Sequence, residues 1–354
     1  MRDSFYKYQA RVIKGKTPMK SIHNVVLIGY GYWGPNIAKN LARCKGLNLY
    51  GICDSDASKL EKAKALYGDN ARYYTDYNDV INDENVGACA VALRNDIAQI
   101  VARAILRSGR HLFMEKPMAV KMEDALLLKQ LAEEKKLILH VDHIMVYNPF
   151  VRYIKQMIDN GELGDIISFE SNRSNLGPFI KQDMNVMWDL AVHDLAVIDY
   201  LCGSKEAVQV ECVGEKYYGD QEIITYLSIK YGGFIAMVKS SWFSPLKERS
   251  IIISGTKKMV VFDDLKESEK LTIYDKGVEF DSSMFKEYGQ YEAKVRLGDL
   301  YIPYIEQEDA LLNGLNQFAE CINSGVPSPT GAGQAIRVLT ILKTADEKLK
   351  EQAE

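Results

Sequence analysis

One glycine-rich segment constrains the fold more than any other feature of the chain. The apolar run Val25–Ile28 is predicted to be a buried strand, and Gly29-Tyr30-Gly31-Tyr32-Trp33-Gly34 follows it directly. Pro35 then falls where a helix would begin. A GxGxxG sequence between a strand and a helix is typical of the Rossmann fold. Its second glycine lets a pyrophosphate approach the backbone, and its third lets the helix pack closely on the strand.

An acidic residue at the expected spacing strengthens this prediction. Asp54 lies 20 residues after Gly34, at the end of the next predicted strand, Leu49–Cys53. A carboxylate at that place accepts hydrogen bonds from the adenosine ribose and would repel a 2′-phosphate. Since Ser55 and Asp56 supply no cation, the sequence favours NAD over NADP as the cofactor.

The order of predicted elements divides the chain into two domains. Up to residue 142, strands and helices alternate as in βαβ units around a parallel sheet. Beyond it, several strand-like stretches follow one another, and Gly232-Gly233 marks a hairpin turn. We therefore expect an α/β protein with an N-terminal Rossmann fold (21–142), followed by an α+β domain with a large open, mostly antiparallel sheet (143–354). Residues 1–20 are expected to be an N-terminal extension, and the C-terminal helix to pack back on the Rossmann domain.

Composition excludes several classes of partner. The 354 residues carry a net charge of −4, which argues against binding to nucleic acid or to an anionic membrane surface. No apolar run approaches the roughly 20 residues that cross a bilayer. The six cysteines are scattered, without a CxxC pair or nearby histidines, and this pattern predicts reduced thiols and no metal site. We expect a cytoplasmic protein.

Two further motifs resemble a known family. Glu115-Lys116-Pro117 follows the predicted strand His111–Met114, and Trp188-Asp189-Leu190-Ala191-Val192-His193 lies in the second domain. Together with the N-terminal GxGxxG, they resemble the Gfo/Idh/MocA family, the glucose–fructose oxidoreductase and inositol dehydrogenase family. The resemblance extends over the chain from about Ser21. The segments most similar to the sugar-nucleotide branch of the family are Asn148-Pro149, Gly161-Glu162-Leu163-Gly164-Asp165 and Asn175-Leu176-Gly177.

The resemblance implies that Lys116, Asp189 and His193 are catalytic. Asp189 and His193 are four residues apart, so in an α-helix they share a face. A carboxylate beside an imidazole would fix its tautomer. His193 would then take a hydroxyl proton while hydride leaves the same carbon, and Lys116 would hold the hydroxyl oxygen. The sequence leaves open whether Lys116 or His193 is the formal base.

Candidate binding residues complete the predicted site. The family often has Thr-Pro and a nearby histidine after the strand Ala88–Val91, whereas this chain has Ala92-Leu93-Arg94. Arg94 is therefore a candidate to contact the cofactor or the substrate in place of those residues. The expected cofactor contacts are Gly29, Gly31, Tyr32, Trp33, Gly34, Asp54, Leu93, Arg94, Glu115 and Lys116. The expected substrate contacts are Tyr147, Asn148, Arg173, Asn175 and His193.

Together these observations predict an NAD-dependent oxidoreductase that transfers hydride to or from a secondary alcohol of a sugar. The expected substrate is a nucleotide-linked sugar, and the expected reacting carbon is C3. One alternative is a dehydrogenase of a free sugar, cyclitol or sugar acid. A second alternative, from another class, is a non-catalytic NAD-binding regulator, because the family includes a transcriptional regulator on this fold. The strands Ile223–Tyr231 and Phe234–Trp242 carry apolar residues on both faces in places, so we expect a homodimer or homotetramer.

Overall fold

The described part of the chain forms two compact units. The computed structural model describes residues 22–177, 184–217, 219–280 and 293–352, and the predicted extension 1–20 lies outside them. The first unit, here called the Rossmann unit, holds the chain up to Glu115 together with Leu127–His140 and Leu311–Gly331. The second unit holds Lys116–Leu126, Val141–Ala310 and the chain from Ala332 onward.

A six-stranded sheet is the centre of the Rossmann unit. Its strand order is β3-β2-β1-β4-β5-β6, and the pairs β1–β2, β2–β3, β1–β4 and β4–β5 are all parallel. Val25 to Leu27 are completely buried, as expected for a central strand covered on both faces. The order changes direction between β1 and β4, and such a switch point is where doubly wound sheets bind ligands. The strands are β1 (His23–Ile28), β2 (Leu47–Cys53), β3 (Arg72–Tyr74), β4 (Ala88–Val91), β5 (His111–Met114) and β6 (Leu139–Val141).

The helices between these strands lie close to their predicted positions. Helix α2 begins at an Asp56 N-cap, whose side chain accepts the Ser58 N–H. The sequence analysis missed the short pair β3 and α3, because three and six residues are too few to show a periodic pattern. The helices are α1 (Gly34–Leu41), α2 (Ala57–Tyr67), α3 (Tyr77–Asn82), α4 (Asn95–Arg107) and α5 (Met122–Glu134).

An eight-stranded sheet is the centre of the second unit. Its order is β14-β13-β12-β11-β7-β10-β9-β8. Only the β7–β10 pair is parallel among its described pairs, which confirms the predicted open, mostly antiparallel sheet. The sequence analysis missed β13 and β14. The strands are β7 (Ile166–Leu176), β8 (Ala207–Glu215), β9 (Ile224–Tyr231), β10 (Ile235–Ser241), β11 (Phe243–Gly255), β12 (Met259–Asp263), β13 (Leu271–Phe280) and β14 (Ala293–Tyr301).

The remaining helices include an irregular one. The helix predicted over Trp188–Leu201 begins with a π-helical turn, Met187–Ala191, and continues as α7. Among the described residues, no helix is both long and apolar enough to cross a membrane. The helices are α6 (Pro149–Asp159), α7 (Val192–Leu201), α8 (Ala310–Ser324) and α9 (Ala332–Glu351).

The two units differ from the predicted domains in where the chain divides and in which C-terminal helix belongs to the Rossmann unit. The chain was expected to divide once, between residues 142 and 143, and to return its C-terminal helix to the Rossmann domain. Instead the penultimate helix α8 belongs to the Rossmann unit, and α9 belongs to the second unit. The reason is aromatic packing: the Phe318 ring of α8 lies 5.9 Å from Phe113 and 5.7 Å from His140. Phe318 is completely buried there.

Candidate active site

The three glycines of the GxGxxG loop have different physical reasons to be glycine. Gly29 has φ +100°, and a Cβ there would lie 2.3 Å from the Ala92 carbonyl oxygen. A Cβ on Gly34 would lie 2.3 Å from the Gly29 carbonyl oxygen. Around Gly31, by contrast, no described atom lies within 4 Å of an added Cβ. The fold therefore requires glycine at Gly29 and Gly34. At Gly31 the fold has no such requirement, and the space beside its Cα is open.

That open space fits the phosphates of a dinucleotide. It lies in the turn from β1 to the N-terminus of α1, where unpaired backbone N–H groups favour an anion. The indole N–H of Trp33 is buried and has no partner among the described residues, so it is a further donor for a ligand. Tyr32 is 96% exposed. The residues present at this end of the sheet fit NAD.

Asp54, the predicted ribose contact, lies directly after β2, and it already has a cation beside it. Its carboxylate is 7% exposed and accepts the Tyr30 N–H at 2.8 Å and the Asp56 N–H at 3.0 Å. Lys59, one turn into α2, places its ammonium 3.2 Å from Asp54 Oδ1. The expectation that no basic residue lies near Asp54 was therefore wrong, because Lys59 reaches the carboxylate over the N-cap of α2.

The other predicted cofactor residues differ in how close they lie to the glycine-rich loop and the sheet. A Leu93 side-chain carbon would lie 2.9 Å from a Cβ on Gly29, so Leu93 adjoins the loop. Glu115 extends the pairing of β5 with β4, because its backbone N–H donates to the Val91 carbonyl at 3.0 Å. Arg94, however, is 75% exposed and pairs with Asp96 at 3.2 Å. The structure gives Arg94 the geometry of a surface ion pair.

In the second unit, Lys116 and Asp189 are in direct contact. The Lys116 ammonium donates to the Asp189 backbone carbonyl at 2.9 Å and lies 3.4 Å from its Oδ1. The other carboxylate oxygen, Oδ2, accepts the Trp242 indole N–H at 3.2 Å. Lys116 is 18% exposed, so its charge is largely shielded from water. The structure brings two of the three predicted catalytic residues together and adds Trp242, which sequence reasoning missed.

The π-helical turn explains how both the backbone carbonyl and the carboxylate of Asp189 can contact the Lys116 ammonium. Val192 donates its N–H to the carbonyl of Met187, five residues earlier. Such a turn departs from the regular α-helical ladder, and π turns occur frequently at functional sites. Here the Asp189 carbonyl oxygen accepts the Lys116 ammonium. The turn is held in place by Trp188, whose indole N–H donates to Asp346 at 2.9 Å.

His193 does not make the predicted contact with Asp189. That prediction assumed a continuous α-helix, whereas the π turn rotates each residue less about the axis and aims the Asp189 carboxylate at Lys116 and Trp242. The Nδ1 atom of His193 is buried and has no partner among the described residues. Burial, and then the charges of Lys116 and Arg173, lower the pKa of His193 well below its ordinary value. The imidazole is therefore neutral at pH 7.

Two predicted substrate residues form part of a buried polar network. Arg173 makes a bidentate ion pair with Asp194, at 2.9 Å for both bonds, and is 7% exposed. This pairing uses the guanidinium that was expected to bind substrate. Asn175 accepts a bond from Arg249 at 2.7 Å and donates to the Gly177 carbonyl. Sequence reasoning missed Arg249, because one arginine in a strand carries no pattern.

Tyr147 and Asn148, two predicted substrate residues, make contacts within the protein. Tyr147 is completely buried, with the Arg152 guanidinium 5.1 Å from its ring. Asn148 caps α6 by accepting the Phe150 N–H at 2.9 Å. Its amide donates to Asp264 at 3.3 Å. Both polar ends of Asn148 are therefore engaged within the protein.

The fold and the two sets of residues define a dinucleotide-binding oxidoreductase class, and comparison with known sequences identifies the family. The model of the GFO_IDH_MocA oxidoreductase family, with an NAD-binding Rossmann fold, matches residues 23–143. The model of the GFO/IDH/MocA C-terminal domain matches residues 151–261. The chain belongs to the Gfo/Idh/MocA oxidoreductase family, which confirms the resemblance.

Its relatives act on more than one kind of ring compound. The inositol 2-dehydrogenase of Salmonella typhimurium is 26% identical over 179 residues, 49% of this chain and 53% of that protein, so the match spans about half of that relative. The scyllo-inositol 2-dehydrogenase (NADP(+)) IolW of Bacillus subtilis is 23% identical over 353 residues, 96% of this chain and 97% of that protein. The UDP-N-acetylglucosamine 3-dehydrogenase GnnA of Acidithiobacillus ferrooxidans has the same fold, with a TM-score of 0.79 and 22% identity over 94% of this chain and 100% of that chain.

The different roles of Gly31 and Gly34 can be tested by the same substitution. Gly31→Ala adds a Cβ in open space, so the free energy of unfolding should change by less than about 0.5 kcal/mol. NADH binding should weaken about tenfold or more, since the Cβ would occupy the place of the phosphates. Gly34→Ala should lower the free energy of unfolding by about 1–3 kcal/mol through overpacking. Chemical unfolding and NADH fluorescence titration measure both effects. Tight NADH binding by a well-folded Gly31→Ala protein would contradict the assignment of the loop.

Proposed function

We propose that this protein is an NAD(H)-dependent dehydrogenase that oxidises or reduces a secondary alcohol of a polyhydroxylated ring. The observation that carries the proposal is the Lys116–Asp189 contact, a shielded ammonium held by a carboxylate and a carbonyl. The fold and the family supply the NAD-binding part. A binding protein without catalysis has no need of such an ammonium beside a neutral histidine.

The proposed chemistry uses Lys116 and His193 in different roles. Bound NAD supplies the hydride acceptor. The Lys116 ammonium donates a hydrogen bond to the hydroxyl oxygen and stabilises the negative charge that develops there. Asp189 and Trp242 keep that ammonium in place. His193 is neutral and can accept the hydroxyl proton, so we assign it the role of the base and Lys116 that of the electrostatic stabiliser.

The substrate that we propose is a nucleotide-linked sugar, reacting at C3. Support comes from the resemblance of Asn175-Leu176-Gly177 to the sugar-nucleotide branch and from the shared fold with the UDP-N-acetylglucosamine 3-dehydrogenase. A cyclitol is the second candidate, because the relatives matched by sequence are inositol dehydrogenases. We also propose that the protein acts in the cytoplasm, for which the scattered, unpaired cysteines are the support.

Substitution of the two reacting groups tests the reaction. Lys116→Ala and His193→Ala should each lose about 10²–10⁴ in turnover, the usual cost of removing an acid–base group, while NADH binding is retained. Lys121→Ala, at an exposed lysine, is the control and should keep full activity. The assay follows NADH formation with UDP- and dTDP-linked hexoses, N-acetylhexosamines and uronic acids beside free sugars and inositols.

The same assay separates the alternatives. Turnover of free sugars or inositols alone would reject the nucleotide-linked sugar and keep the dehydrogenase. No turnover of any substrate, with both variants binding ligands like the wild type, would favour the NAD-binding regulator.

We propose NAD as the preferred cofactor, with Lys59 reducing the preference. Asp54 is placed to accept the ribose hydroxyls, but the Lys59 ammonium offsets part of its charge. NADH should bind more tightly than NADPH, and Asp54→Ala should weaken NADH binding. Lys59→Gln should increase the NADH:NADPH affinity ratio, while Lys62→Gln on the same helix should not. Fluorescence titration showing a wild-type preference for NADPH would refute the proposal.

We propose that the protein forms a homodimer or homotetramer through the large sheet. Apolar side chains of β9, β10 and β11 are exposed on it: Tyr226 by 46%, Met237 by 42% and Ile252 by 39%. They surround a common depression of about 320 Å³, and burial against another copy would remove them from water. Light scattering at micromolar concentration should give a mass well above the 40.0 kDa of one chain. Met237→Lys should shift that mass toward the monomer, and a monomeric wild type would count against the proposal.

A further inference from the structure

Arg249 is a cation that the proposed reaction does not use. It lies in β11, directly opposite Arg173 in β7. Its guanidinium donates to the Ser174 carbonyl at 2.9 Å, to the Glu248 carbonyl at 2.6 Å and to Asn175 Oδ1 at 2.7 Å. All of these acceptors are neutral oxygens. Within the described residues, no carboxylate contacts Arg249.

The neighbouring cations differ from Arg249 in this respect. Arg173 is paired with Asp194 at 2.9 Å, and Lys116 lies 3.4 Å from Asp189. Lys270, which directly precedes β13, lies 3.6 Å from Asp264. Partly buried charges are usually compensated by a charge of opposite sign, because removal from water is costly. Among the residues that the structure describes, no carboxylate in contact with Arg249 neutralises its positive charge.

The electrostatics of the surroundings agree with a charge that is only partly compensated. Burial, and then the cation of Arg173, lower the pKa of the Arg249 guanidinium below its usual range, although the carboxylates of Asp194, Asp189 and Asp264 act in the opposite direction without contacting it. Arg249 is also among the cations that lower the pKa of His193. An anion bound at Arg249 would oppose both effects, since it would restore the charge balance and make the His193 imidazole a better proton acceptor.

We propose that Arg249, together with the Asn175 amide, binds an anionic group of the substrate, either a carboxylate or a phosphate. The guanidinium suits this task because its planar donor fork matches both oxyanions. The inference rests on the proposed function and makes it more specific. A uronate or a phosphate-bearing ring compound is selected over a neutral sugar or cyclitol.

The test compares substrates that carry different anionic groups. Glucuronate carries a ring carboxylate, UDP-glucose carries a diphosphate on a neutral ring, UDP-glucuronate carries both, and myo-inositol carries neither. Wild type, Arg249→Gln and Arg249→Lys are assayed with each, and Lys230→Gln, an exposed cation of the same sheet, is the control. Chemical unfolding checks that all four proteins are folded.

A specific pattern is expected. Arg249→Gln should lower kcat/KM for the anionic substrates about tenfold or more, through KM, while kcat/KM for any neutral substrate is unchanged. Arg249→Lys should recover part of the loss, and Lys230→Gln should match the wild type. Loss confined to UDP-glucose and UDP-glucuronate assigns the phosphate. Loss confined to the two glucuronates assigns the carboxylate. An equal loss on neutral and anionic substrates, or no loss, would overturn the proposal.

Binding measurements keep this inference separate from the dehydrogenase activity. If the wild type turns over none of these compounds, the proposed function fails, and calorimetry with UDP and glucuronate in the presence of NADH decides about Arg249. Binding that Arg249→Gln abolishes and Lys230→Gln preserves would support the anion site. Failure of the wild type to bind either anion would reject it.

Discussion

The contact between Lys116 and the π-helical turn is the interaction on which the candidate catalytic residues depend. A lysine ammonium is a flexible point charge with three donors, so its position is defined only by what it binds. Here the Asp189 carbonyl and carboxylate both hold it. The carboxylate is held in turn by Trp242, and the turn itself by the bonds of Trp188 and Asn185 to Asp346. Helix α9, which carries Asp346, therefore supports the position of Lys116 from a distance.

The features that sequence reasoning predicted correctly are those fixed by local geometry. Gly29 and Gly34 must be glycine because of atoms within the same strand–turn–helix unit, and a contiguous motif records such a requirement. Alternating strands and helices likewise predicted the parallel sheet, except for its short strand β3. Pro35, predicted to fall where a helix begins, lies in the first turn of α1.

The features that were missed depend on residues distant in sequence. Asp189 and His193 were expected to share a face of an α-helix. No local sequence pattern indicates that this helix begins with a π-helical turn. The ion pair of Arg173 was missed because its partner Asp194 lies 21 residues away. The burial of Tyr147 and the bond from Asn148 to Asp264 were missed because neither can be read from a loop sequence. Lys59 was missed because it reaches Asp54 from five residues further along the chain.

Helix α7 and the turn before it determine the electrostatics of the second unit. Three of their carboxylates each hold a cation from a different element: Asp189 holds Lys116, Asp194 holds Arg173, and Asp199 holds Arg337 of α9 at 2.6 Å. These pairs fix the helix against the sheet and against α9, but burial, and then the charges of Lys116 and Arg173, still lower the pKa of His193. Arg249 is among the cations that lower the pKa of His193. An anionic group bound at the proposed Arg249 site would therefore be electrostatically coupled to His193.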